Sequence, residues 1–142
     1  MNELVNQGKI ENMIYEIRGK QVMLDSDLAI LYETETKRIN EAVRRNKDKF
    51  PERFAWQLKN DEVKILWSQN ATANINNMSR TNPRAFTEQG VAMLATILKS
   101  PTATQVSIAI MDAFVLIRRY KITLRIQDKH MRNYDIILKE LN

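Results

Sequence analysis

Residues 25–47, DSDLAILYETETKRINEAVRRNK, decide how this chain is read. A compact apolar segment gives way, after a short polar turn, to a strongly basic amphipathic one, and the pair has the spacing of a helix-turn-helix. That motif needs a small residue where the second helix crosses the first and apolar side chains from both to fill the wedge between them. Ala29 supplies the small side chain. Leu28 and Tyr32 from the first helix meet Ile39 and Ala42 or Val43 from the second. The turn of such motifs usually carries glycine, because one residue there takes a positive φ. Here that residue is Glu33.

Charge is concentrated on the same stretch. The chain has 22 Lys and Arg against 17 Asp and Glu, a formal charge of +5. Between positions 37 and 53 seven cations (Lys37, Arg38, Arg44, Arg45, Lys47, Lys49, Arg53) face three anions (Glu41, Asp48, Glu52). The local excess, 7 − 3 = +4, is most of the chain's total and fits a surface that neutralises phosphates. With Ile39, Ala42 and Val43 inward, Lys37, Arg38, Glu41, Arg44 and Arg45 fall on the outer face of the second helix. In a major-groove pose Lys37, Arg38, Asn40, Glu41 and Arg44 are placed for base edges and Arg45, Lys47 and Lys49 for phosphate.

Outward from this centre, residues 3–13 form a short polar helix or a loosely held arm. In residues 13–24, MIYEIRGKQVML, two β-prone runs flank Gly19-Lys20, a two-residue hairpin turn near which Arg18 and Lys20 project. Asp25 or Ser26 is expected to cap the first helix, and Thr34 or Thr36 the second, which ends at Phe50-Pro51. FAWQL, 54–58, reads as a strand, and Asn60-Asp61-Glu62 starts a helix running to about Gln69. Residues 70–83, with five asparagines, read as a loop or mobile arm, in which Arg80 and, just beyond it, Arg84 are further candidates for DNA. Arg84-Ala85-Phe86 reads as a strand. Thr87 caps a helix with Val91, Leu94, Ala95 and Leu98 on one face, and Ser100-Pro101 starts a last helix. Its apolar seam, Val106, Ile110, Ala113, Ile117, Tyr120, Leu124, Gln127, Met131, Tyr134, Leu138 and Leu141, alternates spacings of four and three. Such a heptad pattern predicts domain core up to about Tyr120 and a homodimer contact beyond it, although KITLRI, 121–126, also permits a strand.

The expected fold class is therefore α+β, mainly helical: a small β-hairpin or sheet, a helix-turn-helix and a long C-terminal helix. The expected division is a DNA-binding domain over 14–120 and a helical tail over 121–142. With no cysteine, neither a disulfide nor a Cys-based zinc site can form. No apolar run approaches the roughly 20 residues of a membrane span, so a cytoplasmic protein is expected. His130, the single histidine, reads as a solvated residue of the tail. No cofactor, metal or catalytic residue is assigned. Asp25, Asp27 and the Glu35-x-Lys37 triplet raise a metal-dependent nuclease as the weakest reading, because acids at helix starts already have an explanation in the helix dipole.

The phrases LDSDLAILY, TKRINEAVRRN, FPERF and AFTEQGVAML, in this order over residues 14–119, resemble the phage-type ORF-six N-terminal domain, a relative of KilA-N domains. The resemblance implies a phage or prophage DNA-binding protein, a transcriptional regulator or antirepressor. The alternative, of a different class, is an antirepressor that binds a phage repressor protein instead of DNA, with the heptad tail as its partner surface. Where relatives carry a Gly-hydrophobic pair in the turn, this sequence has Glu33-Thr34.

Overall fold

The computed structural model describes residues 7–69 and 81–141, with side chains at only some positions past 122. Among them four short strands form one antiparallel sheet: β1 (Tyr15–Ile17), β2 (Lys20–Leu24), β3 (Ala55–Gln57) and β4 (Arg84–Thr87), in the order β1-β2-β4-β3. The helices are α1 (Gln7–Glu11), α2 (Asp25–Leu31), α3 (Thr36–Arg45), α4 (Asn60–Ser68), α5 (Glu88–Ile97) and α6 (Pro101–Leu141). The chain is α+β and mainly helical, with the small sheet and long final helix that its sequence implies. No described helix is long and apolar enough to cross a membrane.

Alternation along the strands sorts the core into two layers, because successive side chains point to opposite faces of a sheet. Val22, Leu24, Trp56 and Ala85 share one face with Ile17, Leu58 and the α4 residues Val63 and Leu66. Met23, Ala55 and Phe86 face the other way. They pack with Leu28 and Leu31 of α2, Ile39 and Val43 of α3, Val91 and Leu94 of α5, and Val106, Ile110, Ala113 and Phe114 of α6. Ile10 brings α1 into that second cluster, where Phe50 meets Phe86 edge-on with ring centroids 6.2 Å apart. The sheet is thus a partition, with α4 on one side and α2, α3, α5 and α6 on the other.

Several local expectations shift. The hairpin turn is Arg18-Gly19, one residue earlier than Gly19-Lys20, because Lys20 already pairs with Ile17. Both turn residues have positive φ, 58° and 69°, as a two-residue turn of type I′ demands. The strand β2 runs straight into α2, so Leu24 holds the cap position in place of Asp25 or Ser26. Glu35 holds it for α3, in place of Thr34 or Thr36. The second helix stops at Arg45, and a single 3₁₀ turn over Lys47–Lys49 carries the chain to Phe50.

Other signals land where they were read. The Thr87 hydroxyl accepts from the Gly90 N–H at 3.2 Å and the Ser100 hydroxyl from the Ala103 N–H at 3.0 Å. Residue 90 must be glycine, since a Cβ there would lie 2.2 Å from the Phe54 carbonyl oxygen. The helix α6 is continuous through KITLRI, which removes the strand alternative. Its burial ends at Phe114 among the described side chains, Ile117 is half-buried and Tyr120 is 64% exposed. Past Phe114, ion pairs of Arg118 with Glu88 and of Lys121 with Glu16 hold α6 to the domain.

Candidate nucleic-acid interface

The turn between α2 and α3 is closed by backbone geometry. Glu33 adopts φ 55°, the left-handed conformation that ends many helices. The Glu33 N–H donates to the Ile30 carbonyl at 3.2 Å and the Thr34 N–H to the Ala29 carbonyl at 2.9 Å, the paired bonds of a Schellman closure. Glutamate thus stands in glycine's place at a cost of about 1–2 kcal/mol for an L-residue there. What holds it is the wedge behind: Leu28, Ala29, Tyr32, Ile39 and Val43 are all buried. The Tyr32 hydroxyl lies 2.7 Å from the Ser107 hydroxyl, tying the motif to α6.

With Ile39 and Val43 inward, the opposite side of α3 carries Lys37, Glu41 and Arg44 in one row and Arg38 and Arg45 in the next. Lys37, Arg38, Arg44, Arg45 and Lys47 are exposed, while Glu41 and Lys49 are half-exposed. Among the described residues none of these six cations enters an ion pair. A guanidinium or ammonium left without a protein anion, beside others of its kind on a convex helix face, is free to meet a polyanion.

Asn40 and Arg84 stand differently. The Arg84 Nε donates to the Asn40 Oδ1 at 2.9 Å, and the Asn40 amide donates to the Asp25 carboxylate at 2.9 Å and to the Thr36 carbonyl at 3.2 Å. Asp25 also accepts from the Ser26 N–H at 2.8 Å. One half-buried network therefore joins the start of α2, the middle of α3 and the start of β4. Burial pulls the Arg84 pKa below its ordinary value, against the pull of Asp25 and with that of Arg44. Arg84 thus lies in the electrostatic reach of the α3 face while its Nε is committed to Asn40.

The hairpin cations lie on the α4 side of the sheet, away from α3. Arg18 forms a two-pronged pair with Glu62, at 2.7 and 3.2 Å, and its guanidinium sits 4.5 Å from the centroid of the Trp56 ring. Glu62 also accepts from the Lys59 N–H at 2.9 Å, capping α4. The Arg18 bonds come first among the causes that hold the Glu62 carboxyl below the usual carboxylate range, against the opposing effect of burial. Lys20 reaches the Arg53 carbonyl at 3.4 Å. Arg80 lies outside the described residues.

Sequence reading missed Glu62 as the anchor of Arg18 and Asp25 as the partner of Asn40. Both acids were legible as first-turn residues, but their partners come from distant segments. The nuclease constellation does not assemble: Asp25 and Asp27 are buried at the start of α2 and Glu35 is exposed at the start of α3. No group of three or more metal-ligating side chains occurs among the described residues.

Comparison with curated proteins and with solved structures gave no match in either case. The family model of the ORF6N domain matches residues 12–97, from just after α1 through α5, and so takes in the whole sheet, α2, α3 and α4. The chain belongs to the ORF6N domain family, a phage-associated family of regulatory type.

Proposed function

We propose that this protein binds double-stranded DNA by laying α3 in the major groove and acts as a phage regulator of transcription. The observation that supports this reading is the row of exposed, unpaired cations on the outward face of α3, and we read α2 and α3 together as a helix-turn-helix. In that pose Arg38 and Arg44 are suited to guanine, whose O6 and N7 accept a two-pronged contact, Lys37 to guanine as a point charge, and Glu41 to the cytosine amino group. Arg45, Lys47 and Lys49, at the end of α3 and in the turn after it, meet phosphate. Asn40 acts at one remove, orienting α3 through Asp25 and Arg84. Arg18 and Lys20 serve the fold of the hairpin and leave the DNA to α3.

Salt dependence tests the reading. Three phosphate contacts release counterions with a slope of about −2.7 in log K against log salt, or roughly a 40-fold loss between 50 and 200 mM. Affinity for random-sequence duplex that stays flat over that range would overturn the proposal.

A further inference from the structure

We infer that the distal half of α6 pairs in parallel with the same segment of a second copy of this chain. Along α6 one apolar stripe passes from buried to open without a break. Val106, Ile110, Ala113 and Phe114 are sealed in the domain core, whereas Tyr120 on the same stripe is exposed. The last tether to the domain among the described side chains is Lys121, paired with Glu16. The helix runs on for twenty more residues to Leu141, about 30 Å at 1.5 Å per residue. Most helical stability in proteins comes from packing of an apolar face, and every described side chain past Lys121 is exposed. This segment needs a partner surface.

Charge and polarity select a second copy. The stripe continues through Ile117, Leu124, Met131 and Leu138 at one heptad position (a) and Tyr120, Gln127, Tyr134 and Leu141 at the other (d), roughly three and a half heptads, enough to specify a coiled coil. Gln127 is its one amide. In a parallel pair it lies level with Gln127 of the partner subunit, so each amide has a hydrogen-bonding equal and the register is fixed. The flanking positions of a parallel pair set Thr123 beside Asp128 of the partner subunit and His130 beside Asp135 of the partner subunit, with no like charges opposed. An antiparallel pair centred on Gln127 would bring the two Asp128 residues together. The cations Arg118, Arg125, Arg132 and Lys139 share another heptad position, off the seam. Ile122 and position 136 fall on the far side of the helix.

The pairing stands apart from the DNA reading, since it is measured without DNA. Joined to that reading, a two-fold dimer requires two half-sites about one DNA turn, or a multiple, apart. The test is the mass of the full chain by light scattering at tens of micromolar. Wild type is expected at twice 16.6 kDa. Leu124→Glu with Met131→Glu is expected to halve that mass, while Ile122→Glu with Ile136→Glu, the same chemistry on the opposite face, leaves it at two chains. Circular dichroism confirms that each variant keeps its folded domain. A wild type at the mass of one chain, or of three or more, overturns the inference. So does a seam variant that stays at two chains, or a far-side variant that dissociates.

Discussion

Removing the Arg18 side chain should cost stability and leave DNA affinity alone. The guanidinium makes two charge-assisted hydrogen bonds to Glu62 and lies over Trp56, yet a third of its side chain remains in solvent, whereas only 8% of the Glu62 side chain does. Breaking a fully buried pair costs about 3–5 kcal/mol, and exposed pairs contribute about 0.2–1 kcal/mol. The half-solvated geometry places this pair between them, at about 2 kcal/mol. Asparagine is the informative replacement, because Arg18 sits at φ 58° and Asn tolerates that conformation, so the turn survives while the contacts go. Urea unfolding of Arg18→Asn, Glu62→Gln and the double variant should give a coupling energy of about 1–2 kcal/mol at neutral pH. The Glu62 carboxyl titrates below its ordinary value near 4.5. Its contribution is therefore fully present above that pH and is lost as the pH falls through the lowered folded value. The coupling should shrink in the same acid range. A coupling below about 0.5 kcal/mol at neutral pH would refute the reasoning, and a large loss of DNA affinity in folded Arg18→Asn would return Arg18 to the interface.

Glu33→Gly should be stabilising or neutral despite adding backbone freedom: relief of about 1–2 kcal/mol offsets an entropic cost of about 0.5–1 kcal/mol, so chemical denaturation should show a net gain near 0.5 kcal/mol. Gly90→Ala, ordinarily favourable inside a helix, should instead cost about 2 kcal/mol or more, because the new methyl meets a backbone oxygen that cannot turn aside; a midpoint equal to wild type would show that α5 shifts freely against Phe54. In Asn40→Ala both Arg84 and Asp25 lose a partner, at about 1–2 kcal/mol, and DNA affinity falls with it even though the exposed cations are untouched. Affinity unchanged in that variant would show that the network has no part in aiming α3.

The pair of helices α2 and α3 was legible because its signal is local. Leu28, Ala29, Ile39 and Val43 reach the core at the spacings a helix imposes, and Thr87 and Ser100 cap the residues that follow them. Where the reading slipped, two neighbouring choices looked alike in one dimension. Arg18-Gly19 and Gly19-Lys20 both offer a glycine, and only pairing of Ile17 with Lys20 separates them. Asp25 looked like a cap, but strand β2 enters α2 without a break and one Asp25 oxygen turns sideways to Asn40 while the other takes the Ser26 N–H. The long-range ties were beyond reach altogether. Arg18 and Glu62 are 44 residues apart, as are Asn40 and Arg84, and nothing in the pattern of either segment names its partner. Counting cations singled out α3 and could not tell which cations the fold already employs.

The central claim is that the exposed face of α3 meets DNA, and Arg44→Ala with Arg45→Ala tests it most directly. By fluorescence anisotropy on a random-sequence duplex at low salt, this folded variant should bind at least tenfold more weakly than wild type, with a salt slope reduced by about one phosphate contact's worth, that of Arg45. Equal affinity and an equal slope would contradict it.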